Sequence, residues 1–283
     1  MRQVLFLSFI AVCGFFISGS VAAEDTYTEE VTIIAEVADL AGAGAVISNE
    51  DLQKAMDTDI QKILTAVPGL YMRTEEGYGL RPNISIRGTA IERSAKVTIM
   101  EDGVLVAPSP YTSSSAYYFP TTGRIHAVEV LKGPAVVSQG PQTIGGAINL
   151  ISTPIPEVSS GRLVQELGEN GMTRTHAYYG GTQGSLGALV EVHEHSSDGF
   201  DKIANVGGDT GFDKSDLMFK ARYSAGNHSL TYKMVDLDES SDQSYVGLSQ
   251  ASFKANARLR YGATAYDKIC LLYTSPSPRD GTS

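Results

Sequence analysis

Three stretches of this 283-residue chain alternate in polarity with a period of two. Leu186, Ala188, Val190 and Val192 interleave with Gly187, Leu189, Glu191 and His193. Leu217, Phe219, Ala221 and Tyr223 interleave with Asp216, Met218, Lys220 and Arg222. His228, Leu230, Tyr232 and Met234 interleave with Ser229, Thr231, Lys233 and Val235. Successive side chains of a strand point to opposite faces, so each stretch predicts a strand with one apolar face and one charged or polar face. A soluble β-sandwich also alternates. These strands, however, run about nine or ten residues, the length that a tilted membrane strand needs. Residues 161–167 and 173–179 alternate less cleanly and are read as two further strands. The connectors at residues 180–185 and 224–227 are short, whereas residues 196–214 and the stretch after Asp236 are long and polar. Apart from a brief first connector at residues 168–172, short and long alternate. That asymmetry is the one an outer-membrane barrel shows, with tight turns on one side and long loops on the other.

The N-terminus fits export. Arg2 precedes an apolar run over residues 4–17, too short to span a bilayer, and Ser20-Val21-Ala22-Ala23 supplies small residues for cleavage. Residues 1–23 are therefore expected to be a secretory signal peptide. Cys13 lies inside it behind Val12, which is not the small residue a lipid anchor requires, and the other cysteine is Cys270, so the mature chain offers no disulfide. No later segment approaches the roughly 18 apolar residues of a membrane helix. The net charge of -10 argues against binding nucleic acid through a basic face. Residues 24–44 read as a flexible polar tail that contains one β-prone patch.

Residues 45–156 read as a small α+β domain. Ser48-Asn49-Glu50-Asp51 has the form of a capping box opening a short helix. A second helix, starting near Asp57 or Thr58, places Ile60, Ile63, Leu64 and Val67 on one face and stops at Pro68-Gly69. Short strands follow at residues 83–87 and 97–100. Asp102-Gly103 turns the latter into residues 104–106. Further strands are expected at residues 127–131 and 147–151.

Five stretches of this domain resemble, in order and spacing, the plug domain of TonB-dependent outer-membrane receptors. They are residues 64–70 (LTAVPGL), 84–88 (ISIRG), 100–104 (MEDGV), 128–134 (VEVLKGP) and 140–153 (GPQTIGGAINLIST). The GPQTIGG form at residues 140–146, followed by STPIP at residues 152–156, looks most like the ferric-citrate receptor branch. Residues 29–35 (EEVTIIA) resemble the TonB box. The resemblance implies an α+β plug followed by the start of an antiparallel transmembrane β-barrel. Family barrels have about 22 strands, and this chain has room for about five, at residues 157–268. Residues 269–283, with CLLYTSPSPRD at 270–280, carry no alternation. They resemble translated sequencing-adapter read-through and are expected to be non-native, a natural disordered tail being the other reading.

The same resemblance implies a receptor and transporter in the bacterial outer membrane, exported through the Sec signal, for ferric chelates such as a siderophore or ferric citrate. Uptake of cobalamin, another metal chelate or a glycan is the alternative, as is a non-transporting outer-membrane binding protein. It implies no enzyme and no resident cofactor. The implied partners are TonB with the ExbB/ExbD inner-membrane complex, outer-membrane lipid and the ferric chelate. Glu29, Glu30, Val31, Thr32, Ile33, Ile34 and Ala35 would bind TonB by strand addition, since an extended patch can join a partner's sheet edge. Arg87 with Gly88, and Lys132 with Gly133, would lock the plug to carboxylates on the barrel wall. Lys132 stands where the family prefers Arg, a point charge in place of a bidentate fork. Gly88, Gly133, Gly145 and Gly146 look like positions of positive φ or close backbone approach. Arg81, Arg93, Tyr111 and Gln142 match ligand-facing positions, where Arg81 and Arg93 could pair with carboxylates of a citrate-like chelate. His193 and His195 share one strand face and could sketch a metal site, but are read as polar lining of the barrel lumen.

Overall fold

The computed structural model describes residues 44–55, 59–74, 77–106, 118–133, 144–204, 207–226, 228–242, 248–261 and 269–272. The N-terminal domain holds β1 (Gly44–Ile47), α1 (Asn49–Ala55), α2 (Ile60–Leu64), β2 (Leu70–Arg73), β3 (Asn83–Ile86), β4 (Val97–Glu101), β5 (Val104–Leu105), β6 (Ile125–Lys132) and β7 (Gly146–Ser152). Five of these strands form one sheet in the order β1-β6-β7-β4-β5. The β4–β7 pair is parallel and its neighbours are antiparallel. β2 and β3 form a separate antiparallel pair.

The local signals act as expected. The Ser48 hydroxyl accepts from Asp51 N at 3.2 Å while the Asp51 carboxylate accepts from Ser48 N at 3.3 Å, a reciprocal cap for α1. Asp59, rather than Asp57 or Thr58, caps α2, its side chain accepting from Gln61 N at 2.8 Å. Ile60, Ile63, Leu64 and Val67 all face the core, against Ile84, Ile86, Ile99, Val128, Val130, Ile148 and Leu150. Every residue of β7 is buried, which suits a strand covered on both faces. The β4–β5 hairpin turns at Asp102 (φ 49°) and Gly103 (φ 77°), the left-handed pair of a tight two-residue turn. Gly146, at φ 141°, brings β7 against β6 so closely that a Cβ there would lie 2.0 Å from the Leu131 carbonyl oxygen.

The second unit is a sheet of long antiparallel strands: β8 (Ser160–Leu167), β9 (Thr173–Gln183), β10 (Leu186–Ser197), β12 (Phe212–Ala225) and β13 (His228–Ser241). β11 (Lys202–Ile203) pairs with β14 (Leu259–Arg260) beside it, and α3 (Gln250–Ala255) lies between β13 and β14 in sequence. The five long strands are the expected number, and the two weakly alternating segments are among them. β12 and β13 run 14 residues each, longer than the alternation implied. β15 (Ile269–Leu272), inside the stretch expected to be non-native, pairs antiparallel with β13. Among the described residues the sheet is open, with β8 at one edge.

The two faces of this sheet separate by chemistry. Leu163, Leu186, Tyr223, Leu230, Tyr232 and Met234 are exposed on the outer face. Leu189, Glu191, His193, His195, Lys214, Asp216, Met218, Lys220, Leu237 and Glu239 are buried on the inner face, against the N-terminal domain.

Candidate functional site: the seam between domain and wall

A short 3-10 turn, Thr122–Arg124, leads into β6 and carries the contact. Gly123 lets the turn touch the wall, because a Cβ there would lie 2.2 Å from His193 Nε2. Arg124 is then fully buried between the two units. Its Nε donates to Asp216 Oδ2 of β12 at 2.8 Å. Its Nη atoms donate to both carboxylate oxygens of Glu101 at the end of β4, and Nη2 also donates to the Tyr118 hydroxyl at 3.1 Å. Burial pushes the guanidinium pKa down, but Glu101 and Asp216 outweigh it and hold Arg124 above its ordinary range. Burial raises the Tyr118 phenol well above its ordinary value, so it stays neutral.

Lys233 of β13 reaches Glu101 and Asp102, the latter at 2.6 Å. Lys220 of β12 donates to the carbonyls of Ser152 at 3.3 Å and Thr153 at 2.8 Å, and lies 3.5 Å from Asp102. Asp102 also accepts from Ser152 N at 2.9 Å and from its hydroxyl. Burial pushes the Asp102 carboxyl up, yet the Lys220 and Lys233 ammoniums and the Ser152 hydrogen bond prevail and bring it down to about 2. Glu191 of β10 accepts from the Thr153 hydroxyl at 2.9 Å and is 2.6 Å from His176 Nε2. A second seam lies near the other end of β13. There Arg81 pairs with Glu239 at 2.8 Å, and Lys214 reaches Glu239 at 3.3 Å and the Phe119 carbonyl at 3.4 Å. Beside these seams, α1 and α2 face β8 and β9 across a cavity of about 310 Å³, whose lining includes Asn49, Gln53, Arg162, Arg174 and His176.

A family model, TonB-dependent Receptor Plug Domain, matches residues 36–147. The N-terminal domain therefore matches the plug domain of TonB-dependent receptors. Solved structures resemble the plug and wall together. The ferric citrate transporter FecA in its unliganded form shares 24% identity at a TM-score of 0.65, over 78% of this chain and 34% of that one. The ferric yersiniabactin uptake receptor FyuA from Yersinia pestis shares 22% at 0.61, over 72% and 33%. The siderophore receptor PirA from Acinetobacter baumannii shares 19% at 0.58, over 72% and 33%. The chain thus spans about a third of the length of these receptors, and at these identities they show its fold: a plug followed by the first strands of an antiparallel barrel.

The plug places the residues expected from sequence as follows. The box Glu29–Ala35, Tyr111, Gln142 and the signal peptide lie outside the described residues. Arg81 lies in the second seam. It is 1% exposed and pairs with Glu239 and, at 3.4 Å, with the Ser241 hydroxyl. Arg93, at φ 51°, is half-buried and held by the Asn83 side chain, which accepts from its backbone N at 2.7 Å. Arg87 and Lys132 converge on the Pro68-Gly69 turn. Arg87 N donates to the Gly69 carbonyl at 2.8 Å, Lys132 Nζ donates to that of Pro68 at 3.1 Å, and Arg87 Nη1 packs against Gly133. Gly88, Gly133 and Gly146 do take positive φ, and a Cβ on Gly145 would meet the Lys96 carbonyl at 2.9 Å. His193 and His195 lie on the inner wall in a row with His176, ring centroids 5.8 and 6.1 Å apart. Among the described residues no group of three or more ligands could hold a metal ion. Sequence reading missed Glu101, Asp102, Arg124, Asp216, Lys220 and Lys233 as a unit. The signal available was only that charges recur at alternate positions of β12.

Proposed function

We propose that the chain is the N-terminal part of an energised outer-membrane receptor that takes up ferric chelates, a siderophore or ferric citrate. One observation carries this reading. A plug domain is seated by buried ion pairs on the polar face of an antiparallel sheet whose other face leaves Leu163 74%, Leu230 72% and Leu186 64% exposed. Water penalises such a face by about 25 cal/mol per Å², whereas lipid accepts it. A plugged barrel in the outer membrane needs energy from elsewhere. That membrane holds no ion gradient, and the chain has no phosphate-binding loop. TonB, driven by ExbB/ExbD, would supply it by pulling on Glu29–Ala35 after strand addition. The ligand class rests on the Gly140–Thr153 motif and on what the similar receptors bind. Arg93, Tyr111 and Gln142 remain the proposed ligand-facing positions, and Arg87 and Lys132 the proposed lock to wall carboxylates. No resident cofactor and no catalytic step is proposed; the chelate is cargo.

The test is uptake of radiolabelled ferric citrate and of ferric siderophores by cells that depend on this receptor, with TonB present or removed. The reading expects saturable uptake that falls to background without TonB while surface binding persists. Uptake independent of TonB, or none of any ferric chelate, would overturn it.

A further inference from the structure

We propose that Arg124 is a positioning residue of the plug, the centre of a charged latch on the wall that is separate from Arg87 and Lys132 and that lets go reversibly. The inference rests on the receptor reading above. Arg124 precedes β6 and Lys132 ends it. Eight residues at about 3.3 Å each put the two roughly 25 Å apart. The Arg124 seam and the proposed Arg87 and Lys132 lock therefore stand at opposite ends of the same plug strand.

The chemistry of the seam is complementary. The plug brings Glu101, Asp102 and Arg124, and the wall brings Asp216, Lys220 and Lys233, so that formal charges cancel across the contact. Arg124 is shared. One side of its guanidinium fork is occupied by a plug carboxylate and its Nε by a wall carboxylate. Among the described residues, the apolar cluster at this seam is small: Ile155, Leu189 and Met218, with Tyr178 and Val235 packed against it. The apolar cluster in the plug's own core is far larger. An apolar seam would be held by area alone and would expose grease each time it opened. A charged seam exchanges its partners for water on opening and returns only to the register in which every charge is paired. Buried ion pairs roughly break even with apolar replacements of similar volume, so the charges here confer register and release rather than net adhesion. Removing one partner is different, because it strands the other in the seam.

The test uses the intact receptor in its outer membrane, with three readouts: entry of an antibiotic too large for porins, surface binding of ferric citrate, and its uptake rate. Asp216→Asn and Lys233→Met are each expected to raise antibiotic entry at least tenfold with surface binding unchanged. The apolar triple variant Glu101→Leu, Arg124→Met, Asp216→Leu is expected to seal like the wild type and bind like it, yet take up chelate at least tenfold more slowly. A seam that is only structural would leave uptake by the triple variant intact. Wild-type antibiotic entry in Asp216→Asn, or wild-type uptake in a sealed triple variant, would overturn the proposal. Should the triple variant fail to assemble, judged by heat-modifiable migration, the two single variants decide. Should the wild type take up no chelate, the receptor reading fails by itself, and antibiotic entry with protease resistance of the plug still judges the latch. Glu157→Gln, which breaks the exposed Arg222 pair outside the seam, is the control with wild-type values.

Discussion

Asp102 gives the seam a measurable pH dependence. Its carboxyl is brought from 3.8 to about 2 in the folded protein. At about 1.4 kcal/mol per tenfold change, that depression is worth about 2.5 kcal/mol. The sign follows from the direction. A carboxylate with a depressed folded value binds its proton more weakly when folded. Its contribution is therefore complete above the unfolded value of 3.8 and is lost as pH falls from there through about 2. Between pH 5 and 8 Asp102 contributes a constant term. Asp102→Asn keeps the shape, leaves Lys220 and Lys233 with one counter-charge fewer, and should lower stability by about 2 kcal/mol at neutral pH. The variant should also lose less than the wild type between pH 4 and 2, so the two stability curves converge there. Other carboxylates titrate in both proteins and cancel in the difference. The chain has no Trp, so urea unfolding is best followed by far-ultraviolet circular dichroism or by hydrogen exchange of the β4 and β7 amides. Parallel curves for variant and wild type down to pH 2 would refute the coupling of Asp102 to the two lysines.

Three further outcomes are expected. Ile33→Pro removes a backbone donor from the proposed TonB-binding patch. It should abolish chelate uptake while leaving surface binding intact; unchanged uptake would remove the patch from the mechanism. Leu64→Ala empties a fully buried position of the plug core and should cost about 2–5 kcal/mol, read as a lower urea midpoint for the plug. Phe219→Arg puts a charge on the outer face of β12, where a lipid-facing cation costs about 2–4 kcal/mol near the bilayer midplane. Membrane insertion should fall, and insertion at wild-type yield would argue that this face does not meet lipid.

Local features were the legible ones. The apolar face of α2, the Ser48–Asp51 cap and the Asp102-Gly103 turn each depend on residues within a few positions of one another, and the structure keeps all three. β1 was not legible, because Gly44–Ile47 is four small or aliphatic residues whose strand character comes from pairing with β6. The destination of Arg81 was equally hidden. A cation before Pro82 suits a ligand loop as well as a buried pair, and only the fold brings Glu239 and Ser241 to it. β12 and β13 were read too short for a related reason. Asp213, Ser215, Asp236, Asp238 and Ser240 make their outer faces polar at one end, so the alternation fades while the hydrogen-bonded ladder continues. The inner charges were visible as polar positions, but which would pair is set by the register between distant segments.

That register is constrained from both sides of the wall. Lys220 pairs across to Lys233 on the inner face, while Phe219 and Ala221 beside it, opposite Met234 and Tyr232, point outward. The buried charges of the seam thus sit level with the apolar outer band, separated from it by the thickness of one strand. A slip of one residue along β12 would turn Lys220 onto the apolar outer face and its apolar neighbours toward Glu101 and Asp102. Lys220 would then lose its partners and sit among apolar side chains. Unpaired cations near the midplane cost about 2–4 kcal/mol apiece, so the misregistered wall lies far above the native one. The plug gains from this without contributing to it. Because the wall resists sliding, Asp216, Lys220 and Lys233 stay opposite Arg124, Glu101 and Asp102.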